Sequence, residues 1–381
     1  MRESEKTDPK MTIGIIGCGG FVQGNHLPNA HRNPHLRVKA LCDLNQRILA
    51  DLKEKYQPDY VTTDFRDIAA DKDIRMAVLG TSPHVRVEPI RALAESGKHI
   101  YVEKPMSLGY EDSREIVDLA RQNKIKLQVG FNRPYSRIMQ EAKRIFRQMR
   151  KGETLIYYRI VGESILWPQF HQDAVNRGES LTIIHETTHI FNLINWLLDQ
   201  SPLSVYAVGG PSDNNIITLT YPDQTCATIL QGGCGTEAYP KERMEVFSDN
   251  RVLVMDDFVS LECTRIPGEK DQLFPLKSNP ARNKTEGLSW TDLRHDLMAW
   301  RDTLTPRDIQ KGYYYNARPC VNKGHYDALQ ALYEAIVNDT RPLTDEYEGA
   351  VATLLGLEAV NSLRTGAPVK LDFSFLKRTD V

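Results

Sequence analysis

The residues of this chain best suited to chemistry begin at a glycine-rich turn. Residues 12–22 read TIGIIGCGGFV, an apolar run that ends in Gly17, Gly19 and Gly20 and passes through Phe21 and Val22 into a segment of helical length. Glycine at 17 and 19 permits a tight turn and lets backbone amides approach a pyrophosphate. The helix that follows adds free N–H groups and a partial positive charge. Val22 stands where this fingerprint usually carries a third glycine or alanine, so strand and helix are expected slightly further apart, with Gly20 as the compensating residue. Asp43 closes a second apolar run, Ala40-Leu41-Cys42, about twenty residues beyond the turn. An acceptor there meets the adenosine ribose hydroxyls and favours NAD over NADP. Arg47 keeps NADP open, and the plain alternative for Asp43 is a turn residue after a strand.

Residues 185–189 read HETTH. On a helix, positions four apart share a face, so His185 and His189 can reach one ligand. The same letters spell a zinc-peptidase motif, with Glu186 as base. The next glutamate is Glu237, however, and no downstream histidine has the spacing of a third ligand, so no metal is expected. Two structural histidines on a half-buried helix are the alternative. The third stretch, residues 97–105, reads GKHIYVEKP and places Glu103, Lys104 and Pro105 at the end of a strand-like run.

That Glu-Lys-Pro segment resembles the glucose–fructose oxidoreductase / inositol dehydrogenase / MocA family, in which a strand ends at a catalytic lysine. Supporting matches are Thr81-Ser82-Pro83, residues 129–133 (VGFNR), residues 245–248 (EVFS) and Gly324-His325-Tyr326. The resemblance implies an NAD-dependent oxidoreductase that moves a hydride between the nicotinamide and a secondary hydroxyl of a sugar, polyol or glycoside. A lysine beside a cationic nicotinamide has its pKa lowered by like charge and desolvation, so it can orient or deprotonate that hydroxyl. Lys104 and His189 are then the acid–base residues. His185 stands where the family has an aspartate, and Asn192 replaces a frequent later aspartate. The implied cofactor contacts are Gly17, Gly19, Gly20, Phe21, Val22, Asp43, Thr81, Pro83, His84, Glu103, Lys104 and Asn132. The implied substrate contacts are Lys104, Arg133, Trp167, His185 and His189. Phe170 and His171 are candidates for a stacking wall, and Tyr313, Tyr314 and Tyr315 for a substrate loop or interface. Arg86 occupies a place where a histidine is often found. Family relatives also use held NAD to cleave glycosides by transient oxidation, and a non-catalytic NAD sensor is a third class.

These residues need elements to hold them. Strand-like runs at 12–16, 38–42, 76–79, 99–102 and 126–129 alternate with helical patterns at 44–56, 86–96 and 112–122. Such alternation builds a parallel sheet through right-handed crossovers, giving a Rossmann domain over 11–131. Beyond it, 132–381 is expected to form an α+β substrate-binding and oligomerisation domain. It has helices at 135–149, 182–198, 293–303, 326–338 and 347–365, a strand candidate at 155–161, an open, mostly antiparallel sheet from runs at 205–208, 216–221, 226–231, 244–248, 252–255 and 259–262, and a short strand at 369–371. Residues 265–289 read as a polar loop or lid. The family implies a homo-oligomer, dimer or tetramer, built on a face of that sheet.

With 381 residues the chain is long enough for two cores. A formal net charge of −2 supplies no field for nucleic acid or an anionic membrane. Six scattered cysteines without a CxxC pair fit a reducing compartment. The polar first ten residues lack the apolar core of a signal peptide, so a cytoplasmic enzyme is expected.

Overall fold

The computed structural model describes residues 10–162, 182–210, 213–236, 239–275, 291–292, 295–296, 299 and 321–376. By contact the chain forms two units. The first takes the chain up to Phe131 and again over His325–Thr353; the second takes Asn132–Gly324 and Leu354–Lys377. Residues 325–353, grouped on sequence with the second domain, thus pack with the first. Hydrogen bonds explain it: the Gln128 side-chain Nε2 donates to the Ala328 carbonyl (2.6 Å) and the Val129 backbone N–H to that of Thr344 (2.7 Å).

The first unit holds a six-stranded parallel sheet of β1 (Met11–Ile16), β2 (Leu36–Cys42), β3 (Tyr60–Thr62), β4 (Met76–Leu79), β5 (His99–Val102) and β6 (Leu127–Val129). Their order is β3-β2-β1-β4-β5-β6, so the chain reverses its direction of travel between β1 and β4. Central strands buried on both faces must be apolar throughout, and every residue of β4 is fully buried. Connecting helices are α1 (Leu27–Arg32), α2 (Gln46–Tyr56), α3 (Phe65–Ala70), α4 (Val87–Glu95) and α5 (Tyr110–Gln122). Asn45 starts α2 by accepting from the N–H groups of Arg47 and Ile48, and Asp64 starts α3 through Arg66. Strand β3 and helix α3 escaped the sequence reading because three strand residues between aspartates show no usable period.

The second unit contains α6 (Arg137–Met149), β7 (Leu155–Val161) and α7 (Thr188–Leu198), then β8 (Ser204–Gly209), β9 (Asn215–Thr220), β10 (Cys226–Gly232), β11 (Glu242–Ser248), β12 (Arg251–Asp256), β13 (Ser260–Thr264) and β14 (Gln272–Leu273). Helix α8 (His325–Val337) belongs to the first unit, α9 (Glu346–Thr365) contributes residues to both, and β15 (Val369–Lys370) closes the second unit's sheet. The order is β14-β13-β12-β11-β7-β10-β9-β8-β15, antiparallel except for the β7–β10 pair. Tight turns enforce the antiparallel pairs: Asp223–Gln224, Asp249–Asn250 and Asp257–Phe258 are each two consecutive left-handed residues. The apolar face of α6, including Ile138, Met139, Ala142 and Phe146, is buried, as are Ile156, Tyr158 and Ile160 of β7. Alternate residues such as Leu155 and Ile216 stay exposed, as a period of two requires. Strand β14 lies inside the segment read as loop 265–289, and most of the helix expected at 293–303 is outside the described residues.

The fingerprint's missing third glycine has a steric counterpart. Val22 is buried, and a Cβ placed on Gly80 would collide with its Cγ2 and come within 3.0 Å of the Gly17 carbonyl oxygen. Gly20 makes no such room, since a Cβ there would meet nothing within 4 Å. The space for Val22 is therefore provided by Gly80, just beyond β4, rather than by Gly20. Gly80→Ala should cost about 1–3 kcal/mol of stability. A urea double-mutant cycle with Val22→Ala should recover about 0.5–3 kcal/mol as coupling; strictly additive losses would remove this account.

Candidate active site

In a parallel sheet, ligands bind beyond the carboxyl ends of the strands, where the strand order reverses. Here that place lies between β1 and β4. Gly17 follows β1 with φ +82, and a Cβ on it would sit 2.7 Å from the Thr81 backbone nitrogen, so only glycine fits. Gly19 and Gly20 face open space. The chain then enters a wide π-helical turn, Val22–His26, that continues into α1. The first N–H groups of such a run have no partner within it.

Asp43 braces this turn. Its Oδ2 accepts from the Cys18 N–H (2.7 Å) and its Oδ1 from the Asn45 N–H (2.8 Å). The Thr81 hydroxyl is buried with no hydrogen-bond partner among the described residues. An open glycine turn, a helix start, a braced carboxylate and an orphaned hydroxyl fit a dinucleotide. Burial, then the charge of Asp43, pushes the thiols of Cys18 and Cys42 up to about 12, so neither is a nucleophile.

From the end of β5 onward, every residue from Tyr101 to Ser107 is buried except Lys104, which is half-open. The Lys104–Pro105 peptide is cis. Glu103, beside it, is buried, and His26 Nε2 lies 2.6 Å from its Oε1. Its Oε2 accepts from the Lys104 N–H at 3.2 Å. Burial alone would raise this carboxyl. The His26 hydrogen bond, with the charges of Lys104 and Arg86, outweighs it and holds the group below the usual carboxylate range. A Cβ on Gly130 would lie 2.8 Å from Glu103 Oε1, so a side chain there would have to displace the carboxylate from His26. Pro83 and His84 form a short 3-10 turn after β4 in which His84 is exposed. Phe21, also exposed, packs its ring 5.7 Å from that of His325.

In the second unit, His185 sits in another π-helical turn, Ile183–Thr187, that leads into α7. His185 is half-buried, and His189 on α7 is 5% exposed. Gly356 of α9 packs beside this turn: a Cβ there would make ordinary contacts, 3.5 Å to Thr188 Cγ2 and 3.7 Å to the Ile183 carbonyl oxygen. Both polar atoms of the buried Asn192 side chain have no partner among the described residues.

Glu186 turns away from zinc chemistry. It pairs with Arg133 Nη2 (3.4 Å) and Lys241 Nζ (3.5 Å). Among the described residues no three His, Cys, Asp or Glu side chains gather as a metal would need. Arg133, read from sequence as a substrate contact, is buried and clamps Glu242 through two 2.8 Å bonds. Glu242 is wholly buried and also accepts from the Tyr158 hydroxyl (2.6 Å) and from Lys323 Nζ (2.5 Å). The Asn132 amide nitrogen donates to the Lys323 carbonyl (2.6 Å) within the second unit. Trp167, Phe170, His171, Tyr313, Tyr314 and Tyr315 lie outside the described residues. The sequence reading missed His26, Gly80, Glu242, Tyr158 and Lys323. Glu242 lies in phase with the apolar Met244 and Val246, which was the available signal for it; the others carried none.

A profile of the Gfo/Idh/MocA oxidoreductase family, NAD-binding Rossmann fold, matches residues 11–131. The chain is 21% identical over 373 residues to myo-inositol 2-dehydrogenase of Thermotoga maritima, covering 95% of this chain and 99% of that protein. It is 27% identical over 249 residues to the uncharacterized oxidoreductase YrbE of Bacillus subtilis, 62% of this chain and 71% of that one. Among solved structures, scyllo-inositol dehydrogenase from Lactobacillus casei with bound NAD(H) and scyllo-inositol superposes with TM-score 0.71 at 17% identity, covering 95% of this chain and 99% of that chain. Aldose-aldose oxidoreductase from Caulobacter crescentus, complexed with glycerol, gives TM-score 0.72 at 17% identity, covering 95% of this chain and all of that chain.

The Glu242 cluster has a pH signature. Burial raises its carboxyl, but the charges of Arg133 and Lys323 and the Arg133 hydrogen bonds outweigh this and hold it far below the ordinary value of 4.5. A depressed carboxyl stabilises the fold fully above its unfolded pKa, and that share is lost as pH falls below it. Glu242→Gln should therefore cost about 3–5 kcal/mol at pH 7, by leaving buried cations unpaired. The gap to the parent should narrow as pH drops from about 5 towards 3. Urea unfolding followed by fluorescence of the buried Trp196 measures it, and a gap independent of pH would refute it.

Proposed function

We propose, from the premise that the chain belongs to the Gfo/Idh/MocA oxidoreductase family, that it is an NAD-dependent dehydrogenase acting on a secondary hydroxyl of a cyclic polyol or sugar. The observation that carries this reading is the exposure of Lys104, the one half-open residue in a buried run at the end of β5. The turn at Gly17, Gly19 and Gly20, with Asp43 and Thr81, is where the dinucleotide would be held. When bound, NAD supplies the hydride acceptor. The remaining chemistry is proton handling and belongs to side chains.

Oxidising an alcohol requires that its O–H be oriented and its proton removed. Lys104 is the residue proposed to do so in the first unit. His189 is the proposed acid–base group of the second, since an imidazole can both accept and release a proton near neutral pH. His185, in place of the family's aspartate, is an auxiliary whose ring cannot orient a neighbour as a carboxylate does. The names of the relatives, inositol dehydrogenases among them, support a hydroxylated ring as substrate. The cytoplasm, where NAD and reduced thiols are both maintained, suits this reading; Cys18, Cys42, Cys226, Cys234 and Cys263 are all free. Among the described residues no helix is long and apolar enough to cross a membrane.

A panel of inositols, sugars and glycosides, followed by NADH absorbance with product analysis in parallel, tests the reaction. Lys104→Ala should lower kcat by about a thousandfold while NADH still binds. His189→Asn should lose most turnover, and His185→Asp should keep it. Wild-type turnover by Lys104→Ala would discard the assignment. Cleaved glycoside without net NADH would replace dehydrogenation by redox-assisted cleavage.

We also propose that the open sheet face, with Leu155 58% and Ile216 47% exposed, is covered by a second copy of the chain. Sedimentation velocity should return a dimer or tetramer; a monomer at micromolar concentration is the contrary result.

A further inference from the structure

Arg86 is a buried cation that the proposed reaction does not use directly. It is 3% exposed and follows the 3-10 turn after β4. Its Nε and Nη2 donate to the Thr81 carbonyl, at 3.0 and 2.6 Å, and its Nη1 donates to the carbonyls of both Glu103 and Pro105. No carboxylate oxygen is among these partners. A guanidinium surrounded by neutral carbonyls is costly to bury, and burial lowers its pKa to about 10, with the charge of Glu103 opposing. Only a fork of several N–H groups can reach three carbonyls from two strand ends; a lysine ammonium lacks that geometry.

What the fork holds is specific. The Glu103 carbonyl belongs to the peptide bond entering Lys104, and the Pro105 carbonyl is one residue beyond it. The Lys104 N–H is held in turn by Glu103 Oε2, and the other oxygen of that carboxylate is held by His26. The backbone on both sides of Lys104 is thus pinned, while the lysine remains the half-open residue of the run. The Thr81 carbonyl, on the same arginine, joins this turn to the chain that packs against Gly17.

We propose that Arg86 is a positioning residue: through the carbonyls of Thr81, Glu103 and Pro105 it sets the place of Lys104 relative to the glycine turn. The inference rests on the catalytic reading of Lys104. Displacing a reacting group by about an ångström costs on the order of a hundredfold in rate. Arg86→Lys keeps the charge and loses the fork. It should fold with a lowered melting temperature, bind NADH within about threefold and leave KM unchanged, while kcat per folded molecule falls by about tenfold to a hundredfold with a displaced pH profile. Arg86→Ala should regain part of its kcat with added methylguanidine.

An arginine with a purely structural role predicts a lowered melting temperature with normal kcat and pH profile per folded molecule. That outcome would overturn the proposal, as would failure of both variants to fold. Lys104→Ala, assayed beside them, separates the two claims. If it turns over normally, the catalytic reading fails. The NMR signal of 13C-dimethylated Lys104, assigned with Lys104→Arg, then still decides the positioning claim: a shift in Arg86→Lys supports it, and an unmoved signal ends it.

Discussion

The buried carboxylate of Glu103 is the constraint around which the end of the parallel sheet is organised. An anion removed from water must be met by donors or charges, or it destabilises the fold by several kcal/mol. His26 reaches it from the π-helical turn after the glycines, the Lys104 N–H from its own chain, and Gly130 gives up a side chain to admit it. Arg86 adds a positive charge nearby while bonding the carbonyl of the same residue. Four separate stretches of sequence are therefore committed by one group. The second unit repeats the device with Glu242, whose partners Arg133, Tyr158 and Lys323 come from a turn, a strand and the segment before α8. The first anion directly precedes Lys104 and accepts from its N–H; the second is clamped by Arg133, which also pairs with Glu186 beside His185.

Much of the first unit could be read directly. Apolar β-branched runs separated by helical patterns gave the parallel strands, because a strand buried on both faces has little freedom of composition. Asp43 is legible from its place at the end of a second apolar run, about twenty residues beyond the turn that ends at Val22. Lys104 was found only through the Glu-Lys-Pro resemblance, since a strand-end lysine has no period to betray it. Short elements were lost: β3 and β14 are three and two residues long. The polar residues were harder still. The resemblance implies ligand contacts for Arg133 and Asn132; their bonding partners Glu242 and Lys323 are brought to them only by the folded second unit. His26 and Glu103 are likewise joined only by folding.

Both helices expected to carry function begin with a π-helical turn, Val22–His26 and Ile183–Thr187. Such turns are less stable than α-helix and persist where an extra residue must be fitted in. In the first, the turn holds His26, bonded to Glu103. In the second, it holds His185 and Glu186, the latter tied to Arg133 and Lys241. The HETTH spelling is thus divided by the fold: its glutamate serves an ion-pair network, and its second histidine lies beyond the turn on α7.

The contact between Val22 and Gly80 changes what the dinucleotide fingerprint means for this chain. The close approach of helix to sheet normally secured by a glycine in the helix is secured here by one just beyond the neighbouring strand. The invariant is a shared volume across an interface, divided between two positions far apart in sequence. A pattern that demands a small residue at a fixed offset from the first glycine rejects this chain, whereas a rule written on the pair accepts it.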